Sequence, residues 1–402
     1  MKIILYSWGG LNEDILENKL NELGFEVIVL VKECEDYTMD ASLAASLIGL
    51  INEESAEAVV SFNYFPIVSM VCDTCKIPYF SWIYDAPHAT LYSKTSSYVI
   101  NQIGIFDRRF SEFLNGKCSL NTRHVPLAVD TEEFTRRINK ESSNKIAVSD
   151  VSFVGSLYTD ERKVNMYDLY HKQAEDAKED VEEWKKLDAI VASHVFDYEK
   201  DFINEDLSWV NGFLKKYMDR NNMGLGDNFV ECYEDVIRES VLEKRVTVLE
   251  RQALMSAIAQ NSADNGYTFN LYTTSDTSKL KALNNCNKGP VDYQNVMPKV
   301  FNTSKINLHI SLRSIHTGMP LRMLDIMGCG GFLLSNAQEE LLEFFDEGHH
   351  MVTYRSIDEC LDKINYYLKH EDERKKIAQA GFERVRDEFN YEKGLLKLFG
   401  IE

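Results

Sequence analysis

KINLHISLRSIHTGMPLRMLDIMGCGGFLLSN, Lys305 to Asn336, decides how this chain folds. An apolar run, INLHISL, turns polar and Gly/Pro-marked at RSIHTGMP. A short helical segment, LRMLDIMG, follows, then CGG and a second apolar run, FLLS. The order is strand, loop, helix, tight turn, strand. Two strands joined by a helix run parallel, and both faces of such a sheet are covered. The loop carries Arg313, His316 and Thr317, and the helix opens with Arg322 and holds Asp325. Gly328, Gly330 and Gly331 allow that helix to lie close on the sheet, with Cys329 a small packing residue between them.

The same alternation fills the first 130 residues. KIILYSW, FEVIVLV, EAVVSFN, IPYFSWIYD, IGIFD and TRHVPLAV read as strands. Between them, LNEDILENKLNELG and ASLAASLIGLINEES show helical spacing, and Gly24 ends the first. VDTEEFTRRINKESSNKIAVSD, Val129 to Asp150, has no strong period and reads as the linker. DVSFVGSLY restarts the strand pattern. From about Arg162 to Gln260 the chain is rich in Glu, Lys, Leu, Ala and Met at helical spacing, which predicts a helical insertion. The expected fold is α/β, with two parallel-sheet domains around a central cleft. The boundaries read as 1–135 for the first domain, 136–149 for the linker and 150–385 for the second domain. The insertion is placed at about 162–260, and a tail, 386–402, can return to the first domain.

The formal net charge of −20 argues against nucleic acid as a partner, because duplex binding needs a basic surface. No apolar run approaches the ~20 residues of a membrane span, and the N-terminus reads as a strand entering a glycine turn, so a cytoplasmic protein is expected. The eight cysteines are scattered. Cys72-x-x-Cys75 lacks a second pair at metal-site spacing and reads as helix packing; no metal site is expected.

Ligands of parallel α/β sheets sit beyond the carboxyl ends of the strands. In the first half those ends are Ser7-Trp8-Gly9-Gly10, Ser61-Phe62-Asn63, Tyr84-Asp85-Ala86-Pro87-His88 and Phe106-Asp107-Arg108. Asp85 and His88 are candidates for a base or an acceptor clamp. Gly9, Gly10, Asn63, Tyr84 and Asp107 are candidate cleft residues. In the second half, Gly155 and Ser156 end a strand ahead of Arg162 and Lys163, a setting in which backbone amides and two cations could hold a phosphate. The HTGMP turn offers the amides of Gly318, Met319 and Leu321 at a helix start, where the helix dipole favours an anion. Arg313, His316 and Arg322 add charge, and Asp325, one turn in, could accept hydrogen bonds from a sugar diol. A diphosphate on amides and arginine with a diol on Asp325 describes a nucleotide-sugar pocket. A helix start with solvated or mutually paired charges is the plainer alternative.

These residues resemble a family. HVPLAVDTEEF resembles the P-x-G-V-D-x-x-x-F segment joining the domains of retaining glycosyltransferases of GT-B fold, and FVGSLYTDERK resembles their F-V-G-R-L-x-x-x-K-G segment. HISLRSIHTGMPLRMLDIMGCGGFLLSN resembles their S-x-x-E-G-F-G-x-x-x-x-E-A-M-A-C-G-x-P-V donor motif. SFNYFP, PYFSWIYDAPHATLYS, FDRRF and LKHEDERKKIAQAG resemble the CgeB-like, spore-maturation-type bacterial glycosyltransferases. The resemblance implies two Rossmann-like domains, the first binding an acceptor and the second a nucleoside-diphosphate sugar, with a UDP-sugar as first choice. It implies transfer to a glycan or protein hydroxyl with retention and no required cofactor or metal. Asp325 matches the acid that holds the ribose. Thr317 falls where a first acid contacts the donor sugar, and Ser156 where the larger family often has an arginine; Arg162 or Lys163 matches the family lysine. Arg322 would join Asp85 and His88 as a catalytic residue by stabilising the leaving diphosphate. The rival expectations are a sugar-nucleotide-binding scaffold without turnover and a sugar-nucleotide epimerase. The nucleotide base, sugar, acceptor and oligomeric state stay open.

Overall fold

The computed structural model describes the chain apart from Pro87, 141–147, 160–164, Glu199, Asp201, Asn204, 222–232 and Glu402. The expected phosphate ligands Arg162 and Lys163 lie outside the described residues.

The first sheet has six parallel strands: β1 (Lys2–Ser7), β2 (Glu26–Val31), β3 (Ala58–Phe62), β4 (Tyr79–Ile83), β5 (Asn101–Ile105) and β6 (Thr122–His124), in the order β2-β1-β3-β4-β5-β6. The second has five: β7 (Val151–Val154), β8 (Phe269–Tyr272), β9 (Ile306–His309), β10 (Leu333–Asn336) and β11 (Val352–Tyr354), in the order β11-β10-β9-β7-β8, again all parallel. Helices cover both, and every residue of β3, β7, β8, β9 and β10 is buried. The edge strand β2 keeps an exposed Glu26 and Val31. Each sheet reverses its strand order once, between β1 and β3 and between β7 and β9. Ligand crevices of open α/β sheets form at such reversals.

The segment taken as linker opens with a helix, Thr131–Asn139. Asp130 caps it by accepting from Glu133 N at 2.9 Å. Its period escaped notice because Phe134 and Ile138 are its only large apolar residues, while the buried Arg137 pairs with Glu133.

The insertion consists of Met166–Ala177, Val181–His194, Ser208–Arg220, Tyr233–Ile237, a π-helical turn Arg238–Glu243, and Lys244–Asn265. It sits in the second half of the sequence but shares a core with the first sheet. Tyr170, Trp184, Tyr217 and Val241 belong to one buried cluster with Ile4, Tyr64, Tyr79 and Phe110. Charge fastens the same interface. Arg238 bonds Asp235 and Glu239 at 2.8 Å each, Tyr92 donates to Glu239 at 2.7 Å, and Lys117 meets Asp235 at 2.8 Å. Burial pushes the Glu239 pKa up to about 7, against the pull of Arg238.

The last helix, Tyr391–Phe399, packs on the first sheet beside Trp82 and Val125. A Cβ on Gly394 would stand 2.6 Å from Trp82 Cζ2, inside van der Waals contact with a fully buried ring. Gly394→Ala should therefore lower stability by about 1–3 kcal/mol, seen as a lower melting temperature. An unchanged transition would mean that the helix does not seat on Trp82.

Candidate active site between the two sheets

Both strand-order reversals face the cleft between the sheets. At the first, the glycine turn after β1 is filled by a side chain of its own helix. Glu13 accepts from Trp8 N at 3.2 Å, Gly9 N at 3.3 Å, Gly10 N at 3.1 Å and Ser7 Oγ at 2.5 Å. The amides of Gly9 and Gly10 are thus committed to an internal carboxylate rather than left open for a ligand. Gly9 is at φ 90°, which favours glycine. Trp8 stays partly exposed beside the turn, and Trp82 is fully buried.

Next along the edge, Asn63 organises the end of β4 from a left-handed backbone (φ 59°). Its Oδ1 accepts from Tyr84 N at 3.0 Å and Asp85 N at 3.2 Å, and its Nδ2 donates to Asp85 Oδ2 at 2.7 Å. Asp85 is exposed and oriented by this amide. His88 Nε2 lies 3.2 Å from Tyr64 N and 3.3 Å from Tyr64 O, so the ring is held against the backbone of the residue after Asn63. Desolvation lowers the His88 pKa, Asp85 opposing, so the ring is neutral at pH 7. Asp85 is the better placed of the two as a polar contact for a ligand. Tyr84 packs on Phe62, with its hydroxyl 3.4 Å from that of Tyr391.

Asp107 and the loop after β9 form a joint between the two halves. The Asp107 carboxylate accepts from His316 N at 2.6 Å, Thr317 N at 3.2 Å and Thr317 Oγ1 at 3.1 Å, while capping its own helix at Phe110 N at 2.9 Å. Thr317 Oγ1 also lies 2.7 Å from Glu340 Oε1. Glu340 in turn accepts from Arg108 N at 2.9 Å and meets His124 Nε2 at 2.7 Å. Gly318 leaves no room for a side chain, because a Cβ there would stand 2.8 Å from Asp107 Cα. Asp107, Thr317 and Gly318 are thereby used in holding the halves together, and Met319 is buried in the apolar core beside them.

Beyond the joint lies the helix Leu321–Gly328. Asp325 is almost fully buried. Its carboxylate accepts from Tyr293 Oη at 3.0 Å and Arg322 Nη1 at 3.2 Å, and Tyr293 Oη accepts from Asn12 Nδ2 at 3.1 Å. A polar chain therefore crosses the cleft from the turn after β1 to the helix. Burial pushes the Asp325 pKa up to about 6, with Arg322 and Tyr293 opposing. Sequence reading missed Tyr293, Asn12 and Glu13. Tyr293 sits in an unpatterned loop, and Asn12 and Glu13 read as an ordinary helix start.

At the second reversal, Gly155 N bonds Tyr272 O at 3.0 Å and Ser156 Oγ accepts from Tyr158 N at 2.9 Å. A buried residue not singled out in the sequence, Arg251, donates to Ser156 O after β7 and to Ile310 O after β9. Arg313 turns the other way. It bonds Glu250 at 3.0 Å and faces the Tyr198 ring at 4.4 Å, lining a cavity of about 800 Å³ with His316, Arg109 and Lys200. Arg313 and His316 thus lie on a different side of the loop from Asp325 and Arg322. Cys72 and Cys75 share one helix, Pro66–Cys75, with Cys72 buried; no group of metal-ligating side chains occurs among the described residues.

Two parallel-sheet α/β domains facing one cleft constitute the GT-B fold, and solved structures of that fold superpose on the whole chain. A glycosyltransferase from Rickettsia africae matches with a TM-score of 0.57 at 10% identity, covering 100% of this chain and 97% of that one. Sucrose-phosphate synthase from Thermosynechococcus elongatus gives 0.55 at 9% identity, covering 100% and 98%. Anabaena HepE in complex with UDP-glucose gives 0.53 at 10% identity, covering 100% and 99%. At such identities the likeness is one of fold. In sequence, residues 247–399 match the family described as glycosyl transferase-like, a segment that includes Arg251, Tyr293, Arg322 and Asp325. No curated protein matches the chain.

Proposed function

We propose that the chain is a glycosyltransferase that moves a hexosyl group from a nucleoside-diphosphate sugar to a glycan or protein hydroxyl, in the cytoplasm. The observation that carries this reading is the Arg322–Asp325 pair at a helix start on the cleft, inside the segment that matches the glycosyl transferase-like family. HepE, a neighbour in fold, has been solved with UDP and with UDP-glucose, which favours a UDP-sugar as donor. Asp325 would hold the ribose diol once Tyr293 yields its place. Arg322 and the amides at the helix start would stabilise charge growing on the leaving diphosphate, without a metal. In a retaining course that diphosphate takes the acceptor proton, and Asp85 orients the acceptor. Among the described residues no helix is long and apolar enough to cross a membrane.

The test is release of free nucleoside diphosphate from UDP-, GDP-, ADP- and dTDP-sugars. Wild type should release one of them, and Arg322→Gln should slow release ~100-fold or more. No release with any donor would favour a binding scaffold, a reading supported by Thr317, which is fixed in the joint with no acid in its place. The pH dependence has a defined sign. A diol donates to the ionised carboxylate, so nucleotide affinity should hold above pH 6 and weaken as pH falls through the Asp325 pKa of about 6. Burial disfavours the charged form, so folding stability moves oppositely, falling as pH rises from about 4 to about 6. Asp325→Asn should therefore abolish the pH dependence of binding while leaving the protein folded.

A further inference from the structure

We propose that the cavity between the insertion and the second sheet is a second ligand site, one that takes a saccharide bearing a phosphate or carboxylate group. This goes beyond the nucleotide reading and gives the insertion a task of its own.

The cavity, about 800 Å³, lies beyond the carboxyl ends of β9, β10 and β11, away from the β7/β9 reversal and on a different side of the loop from Asp325 and Arg322. Its size is that of a small-molecule site. Three parts of the fold wall it: Arg109 from the first half, Phe196, Tyr198 and Phe202 from the insertion, and Asn336 and Arg355 at the ends of β10 and β11. The insertion wall is braced. Glu250 accepts from Phe196 N at 2.7 Å, Arg313 donates to Asp197 O at 3.0 Å, and His194 stacks on Phe202 at 3.9 Å. A wall fixed in this way loses little freedom when a ligand settles on it.

Charge selects the ligand class. Acids outnumber Lys and Arg by 64 to 44 over the chain. Among the described residues the cavity reverses that balance, with Arg109, Lys200, Arg313 and Arg355 against Asp197, Glu243 and Glu339. Asp197 lies 3.5 Å from Lys200, Glu243 lies 3.7 Å from Arg238 behind the wall, and Arg313 is matched by Glu250 at 2.9 Å. Arg355 is exposed, 3.8 Å from Glu347, an acid that Lys363 approaches to 3.2 Å. Guanidinium groups suit phosphate and carboxylate because their fork pairs with two oxygens at once. The aromatic rings of the insertion offer apolar faces for the C–H side of a sugar ring. Asn336 Nδ2, with two protons and a 3.5 Å bond to Ala337 O, has one to give to a hydroxyl.

Glucose-6-phosphate, glucuronate, glucose and inorganic phosphate are titrated by calorimetry into the full chain, with and without UDP, and into Arg109→Gln, Arg355→Gln and the two combined. Wild type should bind at least one of the anionic sugars more tightly than it binds glucose or inorganic phosphate. The combined variant should bind that sugar about tenfold or more weakly at an unchanged melting temperature, and UDP should leave the affinity as it was. If the combined variant melts early, Arg355→Gln, altered at an exposed side chain, is read in its place. The assignment is overturned if neither anionic sugar binds, if glucose or phosphate binds as tightly, or if the folded variants bind equally. Competition with UDP would also overturn it, by placing the anion in the nucleotide pocket. If an anionic sugar binds as expected and no nucleotide binds, this site stands and the nucleotide reading falls. If UDP binds and neither sugar does, the nucleotide reading stands and this one falls.

Discussion

Asp107→Ala is expected to destabilise the protein by about 3 kcal/mol or more, a large effect for one side chain. The carboxylate accepts from His316 N, Thr317 N, Thr317 Oγ1 and Phe110 N, and it is fully buried. Alanine leaves those donors without their acceptor in a joint where Gly318 lies against Asp107. A denaturant midpoint within experimental error of wild type would show that the loop after β9 is held by other contacts. The same geometry explains why Thr317 departs from the acid that the family resemblance implies. A carboxylate at that position would face Asp107 and Glu340, which lie 3.1 and 2.7 Å from Thr317 Oγ1. Thr317→Glu should therefore disrupt the joint rather than restore a donor contact.

Arg238→Ala should cost about 3–5 kcal/mol, the usual consequence of leaving buried acids without their cation. Arg238 stands among Asp235, Glu239 and Glu243, all buried, and Lys117 adds a second cation at Asp235. Because Tyr92 and Lys117 belong to the first half, the loss should loosen the insertion from the first sheet. Faster amide exchange in both Ser208–Arg220 and Arg108–Lys117 is the expected signature. Protection lost in the insertion alone would mean that the shared core, not the charge cluster, holds the two together.

Much of the fold was legible because the strands are short, largely apolar runs separated by helices with visible caps. The run Lys305–Asn336 folds as its pattern indicates, with β9, the helix Leu321–Gly328 and β10 in order. The tertiary attachment of the insertion was not legible, since helical spacing marks a buried face without saying what covers it. The site was legible in part. Arg322 and Asp325 fall together because they are one helical turn apart. Arg313 and Asp107 could not be placed from spacing, because their partners, Glu250 for one and His316 with Thr317 for the other, are remote in sequence. Gly9 and Gly10 read as cleft residues at a strand end, and only the structure reveals that Glu13 takes up their amides.

The central claim, a nucleotide held at Asp325, is tested most directly by a thermal-shift panel of UDP, GDP, ADP, dTDP and CMP on wild type and Asp325→Ala at pH 7.5. At ~100 times its dissociation constant a ligand adds roughly 2.7 kcal/mol, a readily seen rise in melting temperature. The account predicts that one nucleotide raises the melting temperature of wild type and leaves that of Asp325→Ala unmoved. No rise with any nucleotide, or an equal rise in the variant, would contradict it.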